Sequence, residues 1–531
     1  MAATTVTAAP GTKAPAADPP MDPRRVIAFF AMVCGMFMSI LDIQIVSASL
    51  AEIQAGLSAG SDEVAWVQTA YLIAEVVMIP LSGTLARILS TRVLFTICAA
   101  GFTASSALCA TATNIDQMIV YRAIQGFIGG GMIPSVFAAA FTIFPPSKRN
   151  IVSPIIGLVA TLAPTVGPTI GGYLSHAFSW HWLFLINIIP GILVTAAAWS
   201  LIDFDKPEKS LWKTFDWTGL AAMAVFLGSM EYVLEEGNTK DWFSDELIVY
   251  GTVAMVTGGV VFFWRAFKMD FPIVDLKAFA NRNFAFGSAF SFVMGIGLYG
   301  LTYMYPLYLG RIRGYDSLMI GETMFVSGLA MFFTAPVAGF LSSKLDPRVM
   351  MMIGFFGFSL GTYMMTAVTT DWDFYELLVP QILRGCSMML CMVPINNIAL
   401  GTLPPERIKN ASGLFNLTRN LGGAVGLAII NTELTRRSSQ HYERLAEHVN
   451  FGNPAAVTWL DNVGANFSSY GLDGSTLAIK RMSGLVTQQS WVMSFADVFL
   501  GLTVLFGSLV FLAFLIKKPA ARPAPAGGGG H

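Results

Sequence analysis

Apolar stretches of about 20 residues, each long enough to cross a bilayer as a helix, recur from residue 26 to residue 515 of this 531-residue chain. No water is available in hydrocarbon to satisfy a backbone N–H or C=O, so a stretch of this kind folds as a helix or not at all. Charged residues make up only 12% of the chain, against about 25% in ordinary globular proteins. Most soluble folds are thereby excluded, and an all-α polytopic membrane protein is expected. The formal net charge of -1 carries no basic surplus for nucleic acid. Histidines and cysteines show no metal-ligand spacing, so neither a metal nor a cofactor is expected. The five cysteines lie inside apolar stretches, where a small buried thiol serves for side-chain contact.

Charges, prolines and polar loops divide the apolar stretches into fourteen spans. They fall at 26–48, 64–85, 93–111, 117–143, 151–175, 182–202, 216–234, 246–264, 285–307, 317–340, 349–368, 374–400, 409–431 and 491–515. With both ends on one side, 21 of the 32 lysines and arginines lie in segments on that side, eight on the other and three within spans. Such a bias places the termini in the cytoplasm. Residues 1–25 and 516–531 read as cytoplasmic tails, the first a disordered Ala/Pro/Thr-rich tail.

An internal repeat organises the rest. Pro80, Gly83, Leu85, Leu89, Arg92 and Val93 recur with identical spacing as Pro336, Gly339, Leu341, Leu345, Arg348 and Val349. Gly126, Pro145 and Pro146 are echoed by Gly385, Pro404 and Pro405. A parallel repeat of six-helix bundles follows, at 26–202 and 285–515, with 203–284 an inserted helix pair and 432–490 a long loop on the outer side. In transporters built from repeats the substrate site lies between the halves near the midplane.

Ionisable residues inside spans are expensive, costing roughly 2.5 to 3.5 kcal/mol at the helix centre, and mark function by default. At about 1.5 Å per residue, Asp42, Arg122 and Asp497 lie roughly 8 to 9 Å from the outer ends of their spans. Asp42 and Arg122 are thus within reach of one another, as a coupled pair or a purely structural one. Glu75 falls about 16 Å down its span with no cation within four residues. Desolvation disfavours the charged form of a carboxylate left without a partner, which makes Glu75 a candidate proton carrier. Asp42, Glu75, Arg122 and Asp497 are the proton-coupling candidates. Gln125, Asn187, Tyr303, Arg384, Asn396, Asn397, Asn416 and Arg419 are candidates for lining a substrate cavity, although asparagines in spans also join helices by hydrogen bonding. Gly126 and Gly130, then Gly167 and Gly171 beside Pro168 and Gly172, form small-residue stripes that let helices approach closely.

Three stretches carry a family resemblance: Leu41-Asp42-Ile43-Gln44-Ile45-Val46, Arg122-Ala123-Ile124-Gln125-Gly126 and Gly167-Pro168-Thr169-Ile170-Gly171-Gly172. They resemble the motifs of the EmrB/QacA group, fourteen-span drug:proton antiporters of the major facilitator superfamily. Trp180-His181-Trp182, Pro272-Ile273-Val274-Asp275-Leu276, Leu403-Pro404-Pro405-Glu406-Arg407 and Gly422-Gly423 are similar to the EmrB branch. The resemblance implies a major facilitator fold of fourteen transmembrane helices in a bacterial inner membrane. It also implies proton-coupled export of small hydrophobic compounds, with a periplasmic adaptor and an outer-membrane channel as partners. One departure stands out: the family's first inner loop usually has an aspartate and then a glycine where this chain has Arg87 and Ser90. The usual charge latch is then expected from the second copy, with Lys344, Asp346 and Arg348. Competing readings are a dedicated exporter of one metabolite, lipid or fatty acid, and a non-transporting receptor or scaffold. An enzyme is disfavoured, because no span brings together a nucleophile, a base and an orienting group.

Overall fold

A computed structural model describes residues 22–145, 148–269, 271–450, 452–470 and 473–516. Of the tails expected at 1–25 and 516–531, residues 1–21 and 517–531 lie outside them, as does Pro146 of the repeat, whereas Pro23, Arg24 and Arg25 already belong to the first helix. The described residues form helices joined by short turns. The first group is α1 (Pro23–Ala48), α2 (Leu50–Leu57), α3 (Ser61–Leu89), α4 (Thr91–Ala110), α5 (Ile115–Gly129), α6 (Met132–Ile143), α7 (Arg149–Ala177), α8 (Trp182–Leu185) and α9 (Ile188–Leu201). A pair follows, α10 (Trp217–Glu236) and α11 (Glu246–Lys268). The last group is α12 (Arg282–Tyr308), α13 (Ser317–Lys344), α14 (Pro347–Met364), α15 (Phe374–Gly401), α16 (Pro405–Glu447), α17 (Pro454–Ser469) and α18 (Gly474–Leu512).

Among the described residues, twelve helices are long and apolar enough to span a membrane. A thirteenth is α7, bent by 42° between Pro164 and Val166, where prolines at 164 and 168 each remove a backbone donor. The expected span at 409–431 is present as part of α16, yet it fails on apolarity. Its face carries Asn416 and Arg419, both buried in protein, and a helix in the middle of a bundle has no need to be apolar all round.

Side-chain ties collect the loops at one end. Arg24 donates to the Ser200 carbonyl, Arg282 to that of Leu515 at 2.8 Å, and Thr84 to that of Ile273 at 2.7 Å. This end, which also carries Arg87, Arg92 and Lys409, is called the basic end below. The opposite end departs most from a plain loop. Instead of ending near residue 431, α16 continues unbroken to Glu447, and α18 begins at Gly474 with α17 against it. At 43 residues, α16 is about 65 Å long, roughly twice the thickness of bilayer hydrocarbon.

The repeat appears as equivalent close contacts. A Cβ on Gly126 would strike the Tyr71 carbonyl of α3, and one on Gly385 would meet the Ser327 carbonyl of α13 at 2.5 Å. Gly130 lies against the Glu75 carbonyl and Gly171 against that of Ile45, at 2.9 and 2.8 Å from such a Cβ. Gly167 faces Gln44, so the stripe on α7 receives α1, and Gly172 is buried on the same helix with Pro168 beside it.

Candidate functional site

Four elements converge on Asp42 in the interior of the first helix group. Arg122 on α5 donates to Asp42 Oδ2 at 2.6 Å, and the Asn187 amide, at the start of α9, donates to Oδ1 at 2.7 Å. Gln125, one turn from Arg122, donates to Asp42 Oδ1 at 3.3 Å and to Ser106 Oγ on α4 at 2.8 Å, and it accepts from Arg122 at 2.7 Å. Arg122 Nε reaches the Val67 carbonyl at 3.1 Å, and its guanidinium stands 4.3 Å from the Tyr71 ring. Asp42, Arg122 and Gln125 are fully buried. Protein contacts thus replace most of the lost hydration, which is what keeps an ion pair stable out of water, while Arg122 Nη2 is buried without a partner. Gln125 and Asn187 are bound into this network and do not line the pocket described next. The repeat is not symmetric here, because the position equivalent to Arg122 is Gln381, whose amide donates to the Met324 sulfur at 3.5 Å.

A small pocket opens where α1, α3, α10, α12 and α16 meet, lined by Ile43, Leu72, Glu75, Val76, Glu231, Glu235, Tyr299, Asn420, Gly423, Ala424 and Leu427. Glu75 stands midway along α3, is 2% exposed, and its Oε1 has no hydrogen-bond partner. Two further carboxylates, Glu231 and Glu235, come from α10. They are one turn apart and therefore on one face. α10 is held against α3 by stacking of Trp66 on Tyr232, with ring centroids 5.6 Å apart, and by a 3.4 Å hydrogen bond from Thr69 to Glu236. Sequence reasoning missed Glu231 and Glu235, although Glu231 falls within the seventh span; an inserted helix looks peripheral until its contacts are known.

The remaining candidates are spread through the second helix group. Arg419 donates to Asn416 Oδ1 at 2.8 Å and Arg384 to Thr302 Oγ1 at 2.9 Å, each leaving Nε and NH1 buried without partners. Both amide atoms of Asn396 are likewise buried and unpartnered. Asn397 accepts from Ser153 on α7 at 2.6 Å and donates to Ser342 on α13 at 3.3 Å. Tyr303 is partly exposed on α12. Asp497 is apart from Asp42 and Glu75: it contacts His441 at 2.9 Å and Arg437 at 3.6 Å on the extended part of α16.

At the basic end the latch takes a form the loop motif does not announce. Arg87 pairs at 3.0 Å with Glu208, and both are partly solvated. Asp346 of the second copy caps the Arg348 N–H at 3.0 Å, and no ion pair joins Lys344, Asp346 or Arg348 to the first helix group among the described residues. The crossing contact comes from the linker after α9. Asp205 accepts from the Thr91 N–H at 2.8 Å and Thr91 Oγ1 at 2.7 Å, and meets Lys409 Nζ of α16 at 2.5 Å. Lys409 also donates to the Ala86 carbonyl at 3.2 Å. Gly83 lies beneath the backbone of Lys409 and Asn410, and Ser412 donates to the Pro134 carbonyl at 3.0 Å.

A helical bundle with a buried acid–base network beside an acid-lined pocket is a build that membrane transporters use. The family model described as Major Facilitator Superfamily matches residues 32–427. The chain belongs to that superfamily and, within it, to the EmrB-type efflux proteins. It is 42% identical over 490 residues to the colistin resistance protein EmrB of Acinetobacter baumannii, covering 92% of this chain and 96% of that one. It is 30% identical to the multidrug export protein EmrB of Escherichia coli, covering 95% and 97%. The crystal structure of the human organic anion transporter MFSD10 superposes with a TM-score of 0.59 at 13% identity, covering 92% of this chain and all of that one, which shows the shared fold.

Proposed function

We propose that this chain exports hydrophobic toxic compounds across a bacterial inner membrane in exchange for protons, with the basic end and both termini in the cytoplasm. The observation that carries the coupling is Glu75: a carboxylate 2% exposed, with an unpartnered oxygen, on the wall of the pocket between the two helix groups. A proton on Glu75 changes the charge of that wall, and so the relative free energy of states that open the pocket to either side. Asp42 and Arg122 act beside it as a coupled pair, and the bundles at 26–202 and 285–515 are the moving bodies, with 203–284 carried between them. The basic end is joined by Lys409 and Asp205, which supports a state closed to the cytoplasm.

The names of the two relatives support toxic compounds, colistin and other drugs among them, as the substrate class. The extension formed by α16, α17 and α18 supports docking of a periplasmic adaptor that passes substrate to an outer-membrane channel. In proteoliposomes, Glu75→Gln should insert normally but lose substrate-induced proton release; release at the wild-type level would remove Glu75 from coupling. Deleting chain between Tyr442 and Gln488 should spare transport in vesicles and weaken whole-cell resistance. Full resistance with unchanged adaptor cross-linking would remove the docking role.

A further inference from the structure

The inserted pair has an outer surface that transport through the central pocket leaves unexplained. α11 packs on α10 and turns a stripe outward: Val253, Val256, Val260, Trp264 and Phe267 recur every three or four residues, and each is more than half exposed. In a chain that crosses a bilayer such a stripe meets acyl chains. At the basic end it runs into a second aromatic cluster. Trp212, Phe215 and Trp217 touch one another, with ring centroids 4.7 to 5.8 Å apart, and the two indoles stay 50% and 60% exposed. Arg265 of α11 pairs with Asp216 at 2.6 Å, which holds both clusters at one level. Packed but uncovered indoles suit the headgroup layer, where one edge of the ring is apolar and the other wet.

The charges beside these rings are one-sided. Lys206, Lys209 and Lys213 lie on the segment that leads into α10, the last two on a short 3-10 helix (Lys209–Thr214), and Lys268 Nζ stands 4.9 Å from the Trp264 ring. All four lysines are exposed, and none forms an ion pair among the described residues. The acids on the same segments are engaged elsewhere: Glu208 with Arg87, Asp216 with Arg265 and Asp205 with Lys409. On 203–217 and 264–268, Asp203 alone is left against the four lysines. A lysine lays its stem along apolar surface and carries its charge outward, and each lysine near an anionic membrane surface strengthens attachment to it. Water would satisfy the lysines but leave the indoles and Phe267 uncovered. Neutral lipid would cover the rings but leave the lysines without a counter-charge.

We propose that this corner of the inserted pair is a binding site for anionic phospholipid, with Lys206, Lys209, Lys213 and Lys268 on the headgroup and Trp264 and Phe267 on the upper acyl chain. The pair α10 and α11 is then an anchor to charged lipid as well as an insert between the bundles. The inference is independent of the export reading, since it requires only that the helices cross a bilayer.

A bimane label at the exposed Thr214→Cys, with Cys34→Ser removing the exposed native thiol, reads the lipid beside the site in the full-length protein reconstituted into phosphatidylcholine vesicles. Phosphatidylglycerol or phosphatidylcholine carrying a nitroxide at carbon 5 of one acyl chain, at equal mole fraction, is the quencher. Phosphatidylglycerol should associate about fivefold or more tightly than phosphatidylcholine, the effect of at least one lysine at a charged surface. The triple variant Lys206→Gln, Lys209→Gln, Lys213→Gln should bring the ratio close to one, and arginine at the same three positions should keep it. A label at Val249→Cys, exposed at the other end of α11, should show no preference. Equal quenching by the two lipids at Thr214→Cys would overturn the proposal, as would a preference that survives the triple glutamine variant. A preference of the same size at Val249→Cys would overturn it too, because it would report general enrichment around the protein and not a site.

Discussion

Lys409→Ala removes the cation that ties the start of α16 to Asp205 on the linker after α9. The contact is 2.5 Å with side chains 16% and 10% exposed, so solvent screens it less than a surface pair. A second hydrogen bond, to the Ala86 carbonyl at 3.2 Å, is lost with it. Removing a partner from a buried ion pair can cost 3 to 5 kcal/mol when the remaining charge is stranded. Asp205 is not stranded, because it keeps the N–H and hydroxyl of Thr91. The loss therefore falls in the range of roughly 1.5 to 3 kcal/mol for a hydrogen bond to a charged group. A loss of about 2 kcal/mol moves a two-state ratio by about 30-fold toward opening at the basic end. Spin labels at Lys206→Cys and Arg407→Cys, both exposed positions flanking the contact, read the separation by pulsed electron resonance in a Cys34→Ser background. The variant should populate a longer distance, and exchanging the charges as Asp205→Lys with Lys409→Asp should restore much of the short one. An unchanged distance distribution in both Lys409→Ala and Asp205→Asn would refute the latch.

Breaking the Asp42–Arg122 pair from either side should cost about 3 to 5 kcal/mol, and replacing both by neutral side chains should cost less than the sum; strictly additive losses in a double-mutant cycle would mean independent roles. Ser90 has φ of 81° with ψ of 155°, a conformation that L side chains rarely adopt. Ser90→Gly should therefore raise thermal stability by about 1 kcal/mol, the strain relieved less the cap to Val93, and an unchanged or lower melting temperature would contradict the strain. At the head of α15, Asp373 is held below the usual carboxylate range first by the Tyr315 hydroxyl, then by the Phe374 N–H and Arg313. A depressed folded value gives stability above the ordinary carboxylate range that is lost as pH falls through the folded value. Asp373→Asn should thus lower the melting temperature at pH 7 but have little effect near pH 2; an equal loss at both would point to sterics.

The span pattern, the repeat, the basic end and the motifs were legible because each is local: twenty apolar residues make a helix wherever they stand, and a repeated loop repeats its spacing. Matched depths were enough to pair Asp42 with Arg122 and to single out Glu75, because a helix converts residue number directly into height. Height says nothing of azimuth or neighbours. Gln125 and Asn187 share a depth range with the pocket, yet they turn toward Asp42, and Asp497 turns toward His441 and Arg437 on a helix that outruns its span. Glu231 and Glu235 reach the pocket only because α10 docks against α3 and α16, and Asp205 reaches Lys409 from more than 200 residues away. The sequence by itself determined where the helical spans fall and placed Asp42, Glu75 and Arg122 inside them. Which of those charges meet was decided by tertiary structure, because desolvated ions are held by partners in three dimensions and no spacing along one helix encodes the rotation of the next.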